Sequence, residues 1–129
     1  MFKGALIVGF GGFLGSITRY LSSQLIHKYF STNFPLGTLI VNLAGCLIIG
    51  IIFGLFEKGS ILSSNLRLFL TVGFCGGFTT FSTFANDSIN LINDSEVLYL
   101  MLYMGISIFA GISFTFIGKE IANYIWSIK

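Results

Sequence analysis

The sequence predicts an all-α membrane protein of four transmembrane helices, the third of them broken near the middle of the membrane. Three observations lead there. The 129 residues are 54% hydrophobic and only 9% charged, with mean hydropathy +0.90, whereas a soluble domain carries about 25% charged residues. Four apolar segments reach the roughly 20 residues that a helix needs to cross hydrocarbon. The third segment contains Gly73-Phe74-Cys75-Gly76-Gly77-Phe78-Thr79-Thr80-Phe81-Ser82-Thr83-Phe84, which reads as a loop. Each glycine is about 1 kcal/mol worse than Ala inside a helix, and the hydroxyl side chains compete for backbone partners. In a bilayer, freed backbone groups find no water, so such a break is tolerated where protein buries it or a wet cavity runs beside it.

The spans run roughly 4–28, 36–56, 66–92 and 97–126. The first opens like a signal peptide, with Lys3 before an apolar run. That run continues to Ile26 with no small-residue cleavage site, so it is expected to be retained. Gly11 and Gly15 form a small-xxx-small pair for close helix contact. Pro35 suits the first turn of the second helix, where Thr38 and Asn42 lie four apart on one face. Asn65 is expected to cap the third span. Midway between Asn65 and Asn93 lies Thr79, which places the loosened stretch at mid-span. Asn93 and Glu96 are spaced like a capping box ahead of the fourth span. There Tyr103, Ser107 and Gly111 form one stripe. Tyr20, Tyr29, Tyr99, Tyr124 and Trp126 fall near predicted helix ends, as interfacial aromatics do.

Several function classes are disfavoured. The net charge of +2 comes with no basic run to track nucleic-acid phosphates. Cys46 and Cys75 lie in apolar stretches, with no histidine or acid placed to complete a zinc set. The one histidine, His27, sits beside Lys28 at a helix end, and no span holds a paired Asp or Glu, so an enzyme is not expected. A proton-coupled small exporter needs a membrane-embedded carboxylate. Glu57, Asp94, Glu96 and Glu120 read as terminal or loop residues, and Asp87 as lying near the interface.

The polar groups inside the spans are neutral donors. Asn42 offers an amide, and Thr38, Ser82, Thr83, Tyr103 and Ser107 offer hydroxyls. Phe81 and Phe84 are three apart on a helix, and a phenyl ring is positive at its edge. Ring edges with O–H and N–H donors suit an anion, and Arg19 would add a positive field at one mouth. Packing is the plainer reading of two phenylalanines in a chain with 15. A four-helix bundle fills its own interior, so a pore implies assembly with a second chain, docked on the glycine-lined helices.

Three segments carry a family resemblance: Gly11 to Tyr20, Gly37 to Gly45 and Gly73 to Phe84. With them the chain resembles, over its whole length, the small fluoride channels of the Fluc (CrcB) family. The resemblance implies an antiparallel, dual-topology dimer with two separate pores that export cytoplasmic fluoride passively across the bacterial plasma membrane. Phe81 and Phe84 match the family's phenylalanine pair, Asn42 its pore asparagine, and Tyr103 and Ser107 a polar track. The chain departs from that track at Gly111, where some relatives carry Ser. The family also holds a central structural sodium ion on backbone carbonyls that match Gly76 and Thr79 here, and hard cations favour oxygen ligands. Lys3, Lys58, Arg67, Lys119 and Lys129 fall on the amino-terminal side, against Lys28 and Arg19. That bias favours one orientation and keeps a heterodimer with an oppositely oriented sister subunit as the alternative to a homodimer. A small proton-coupled exporter and a non-transporting membrane subunit are the other readings.

Overall fold

The structure, a computed structural model, describes residues 1–57 and 63–128. The expected contributions of Lys58 and Lys129 to the charge bias lie outside the described residues. Among the described residues four helices are long and apolar enough to cross a membrane: Phe2–Tyr29, Leu36–Glu57, Ser64–Asn93 and Val97–Ser127. Each end falls within two residues of its expected position. We label them α1 (Phe2–Tyr29) and α2 (Leu36–Glu57); then α3 (Ser64–Leu68), α4 (Gly76–Phe78) and α5 (Phe81–Asn93) within the third span; and α6 (Val97–Ser127). A π-helical stretch, Phe69–Cys75, joins α3 to α4, a winding often found at functional sites.

Close approach at glycine builds two packed layers. On one side α2 lies against α6. A Cβ on Gly50 or Gly118 would run into the backbone of the facing helix, and one on Gly54 would crowd Ala122. On the other side α1 lies against the π-helical stretch and α4, where Gly11 faces Phe69 and Phe74, and Gly15 faces Phe74 and Phe78. The Gly11/Gly15 pair thus does bring helices together, but within the chain. These glycines are buried inside one subunit, so they are not the docking surface expected of them. The fifth helical piece, α5, closes on α6 through a small core of Leu39, Leu91 and Tyr103, with Phe34, Phe84 and Tyr99 packed against it.

Local signals at the helix ends differ in detail. Pro35 stands just before Leu36, its carbonyl accepting from the Leu39 amide at 3.1 Å. The third span is capped by Ser63, not Asn65: the Ser63 hydroxyl accepts from the Leu66 amide at 3.3 Å. Ser63 is still extended, as a capping residue must be, whereas Asn65 is already helical. The Asn93–Glu96 capping box does not form. Asn93 ends α5, and Ser95 turns the chain with φ 60°, so Glu96 caps α6 without a side-chain bond. Tyr29, Tyr99, Tyr124 and Trp126 do lie within a turn of helix ends, whereas Tyr20 lies well inside α1.

Candidate functional site

The third span loses its helix at Thr79 (φ −83°, ψ 155°) and Thr80 (φ −147°, ψ 121°), both extended. Several of the freed groups at this break are matched to a residue type that can serve them. The Thr80 hydroxyl accepts from the Thr83 amide at 3.2 Å and so caps α5. The Thr79 hydroxyl donates to the Cys75 carbonyl at 2.9 Å. From α2, Asn42 Oδ1 accepts from the Thr80 amide at 2.8 Å, and Asn42 Nδ2 donates to the Thr80 carbonyl at 3.0 Å. One side-chain amide thus pairs with both backbone groups of Thr80, as a second peptide would. From α1, Arg19 Nε donates to the Gly77 carbonyl at 3.1 Å, with the Ser16 hydroxyl 3.5 Å from the same oxygen. Arg19 therefore serves the break.

The carbonyls of Gly76 and Thr79 are among those that this scheme leaves out. The Thr80 amide, which would close a helical turn onto Gly76, goes to Asn42. The Thr83 amide, which would close onto Thr79, goes to the Thr80 hydroxyl. The carbonyls of Gly76 and Thr79 thus lose their helical partners, and Gly76 is exposed.

Beside the break runs an open groove of about 410 Å³, lined by Asn42, Gly76, Thr79, Thr80, Phe81, Phe84 and Ser107, and by apolar atoms around Cys46, Ile49, Cys75 and Ile108. Phe81 is 79% exposed. Its ring lies 5.6 Å from that of Phe84, tilted by 35°, and Phe84 in turn lies 5.1 Å from Tyr103. Of the residues expected at the site, the groove gathers Asn42, Phe81, Phe84, Ser107, Gly76 and Thr79. It does not gather Ser82 and Thr83, whose hydroxyls lie 3.2 and 3.1 Å from that of Thr80. A Cβ at Gly111 would meet Cys46 Sγ at 3.5 Å, ordinary contact, so a small side chain would fit there.

Thr38 and Tyr103 belong to a neighbouring constellation built on Asp87. The Thr38 hydroxyl donates to Asp87 Oδ2 at 2.7 Å and the Tyr103 hydroxyl to the same oxygen at 3.2 Å. Asp87 is half-buried between α2 and α6. Its signal in the sequence was its spacing: three after Phe84 and six after Phe81, it extends their helical face. Among the described residues no group of three or more His, Cys, Asp or Glu side chains could hold a metal ion.

The fold and this groove define a small multi-pass membrane protein built around a broken helix. The family model described as "CrcB-like protein, Camphor Resistance (CrcB)" matches residues 6–119. A protein of Flavobacterium psychrophilum named "Fluoride-specific ion channel FluC" is 44% identical over 121 residues, covering 94% of this chain and 98% of its own. One of the same name from Chlorobium phaeobacteroides is 45% identical over 122 residues, covering 95% and 94%. Another from Clostridium novyi is 52% identical over 94 residues, covering 73% of each chain. The chain belongs to the CrcB family.

Proposed function

We propose that the protein is a fluoride-selective passive ion channel of the bacterial plasma membrane, working as an antiparallel dimer with two pores. The observation that carries this reading is the gathering of Asn42, Phe81, Phe84 and Ser107 along one groove at a broken helix, in a chain whose relatives are named fluoride-specific channels. A bare fluoride ion must be given ligands that replace its water, held loosely enough to leave. Ring edges of Phe81 and Phe84 and the Ser107 hydroxyl supply such partners without a fixed positive charge that would trap the ion. The second Nδ2 hydrogen of Asn42, the one not on Thr80, supplies another. Thr38, Tyr103, Ser82 and Thr83 flank this path, and Arg19 gives it a positive potential from the break. Fluoride enters cells as neutral HF and dissociates inside, so a leak for the anion drains it down its own gradient.

The groove is open on one side, which suits completion by a second copy. A homodimer is the simpler assembly; a sister subunit of opposite orientation is the alternative. In the inverted dimer the broken stretches of two chains meet at mid-membrane. The carbonyls of Gly76 and Thr79, freed from helical bonding, fit a sodium ion there, since a hard cation takes oxygen ligands. When bound, sodium would supply positive charge to these oxygens and tie the two chains together. Replacing sodium with a large organic cation is therefore expected to lower both fluoride flux and melting temperature. A sodium-free preparation with unchanged flux and melting temperature would remove the ion from the proposal.

Efflux from liposomes holding the purified protein tests the function directly. Fluoride is expected to leave while chloride stays, with no requirement for a proton gradient. Asp87 is the embedded carboxylate that a proton-coupled exporter would need, but two hydroxyls already donate to it. Fluoride flux that stops when the proton gradient is collapsed would move the protein to that class.

A further inference from the structure

We infer that Arg67 and the cavity beside it form an antechamber that gathers the permeant anion before it reaches the central groove. The inference rests on the channel reading above and adds an entry route to it.

Arg67 lies in α3, at the end of the bundle where the start of α1 and the far ends of α2 and α6 also meet. Its guanidinium carbon lies 5.6 Å from the ring centroid of Phe53 and 5.3 Å from that of Phe56, so two cation–π contacts hold it on α2. The nearest acid along α2 is Glu57, next to Phe56 in sequence, but Glu57 Oε1 is 2.7 Å from Lys119 Nζ. Among the described residues no carboxylate pairs with Arg67. A fixed cation with its neighbouring acid already neutralised projects a field into the space beside it.

That space exists. A cavity of about 270 Å³ is lined by Arg67, Phe53, Ser64, Leu68, Thr71 and Val72. Thr71 also lines the 410 Å³ groove, so one residue is common to both walls. Its hydroxyl donates to the Arg67 carbonyl at 2.9 Å, which holds the side chain back along the helix. A cleft lined by one sign of charge between low-dielectric walls focuses the field and raises the local concentration of counter-ions. Arg67 meets that description for an anion approaching from this end. A guanidinium already engaged with two rings attracts the ion without enclosing it, as conduction requires.

The test is initial fluoride efflux from liposomes across a range of fluoride concentrations, at low and high ionic strength of an impermeant salt. At low fluoride and low ionic strength, Arg67→Gln is expected to cut flux roughly tenfold, while Arg67→Lys keeps most of it. The deficit is expected to narrow as fluoride rises, and as added salt shortens the Debye length from about 30 Å at 0.01 M toward 8 Å at 0.15 M. Wild-type flux at low fluoride should itself fall with ionic strength. Wild-type behaviour of Arg67→Gln at low fluoride, a deficit equal at every concentration, or equal losses in Gln and Lys variants would each overturn the antechamber and leave Arg67 as packing. A wild-type protein that conducts no fluoride at all sinks the channel reading instead, so the two failures are distinct.

Discussion

Phe81→Ile is expected to slow fluoride efflux by roughly two- to tenfold, while the variant assembles and melts like the parent. An edge-to-face contact between aromatic rings is worth about 0.5–1.5 kcal/mol, a scale we take for a ring edge on an anion, and each 1.36 kcal/mol lost from the barrier region is tenfold in rate. Isoleucine keeps apolar bulk but has no quadrupole to turn toward an anion. Phe81 is the cleaner of the two sites because its ring is 79% exposed in the subunit, so the core loses little when it changes. Phe84→Ile should slow flux comparably but also loosen the cluster around Leu39, Leu91 and Tyr103, with about 1–2 kcal/mol of destabilisation. Liposome flux at equal protein loading, with thermal melts in detergent, reads both. Parental flux in both variants would leave the rings as packing.

Asn42→Asp is expected to abolish conduction, for two reasons that the structure separates. Aspartate can still accept from the Thr80 amide, but it has no N–H for the Thr80 carbonyl and sets a second oxygen against it. Leaving a buried polar group unsatisfied costs about 1–3 kcal/mol. The new negative charge also faces the groove and repels the ion. Asn42→Ala removes both bonds without adding charge, so the pair of variants divides the effect. Loss in both makes the grip on Thr80 the main role of Asn42; loss in Asp with partial activity in Ala makes it charge. Full conduction in Asn42→Asp would show that the residue neither lines the path nor holds the break in a form that matters.

The features legible in the sequence were those set by chain-local chemistry. Apolar length alone placed four helices, because hydrocarbon thickness dictates length. The break was visible because Gly76-Gly77 and Thr79-Thr80 disfavour helix in any surroundings. Asn42, Phe81, Phe84 and Ser107, which share the groove, stand out in the sequence because each is an odd residue for its span or matches a family pattern. What escaped depended on partners far apart in the chain. Nothing near Arg19 in sequence announces that its guanidinium reaches the Gly77 carbonyl. The two hydroxyls that donate to Asp87 come from α2 and α6, so its own span does not announce them. The choice of Ser63 over Asn65 as cap turned on which residue was still extended, a matter of where the connector delivers the chain.

The Asn42–Thr80 pairing has a consequence for how the protein is made. A ribosome delivers α2 before the third span, so the amide of Asn42 is already in the membrane when the Thr79–Thr80 kink arrives. A kinked segment entering the lipid by itself would carry a naked peptide group; arriving beside α2, it finds a ready mate for both ends of that group. The order of these helices in the gene thus doubles as an assembly schedule, and a permuted chain that synthesised the kink first would be expected to insert poorly even if its finished shape were the same.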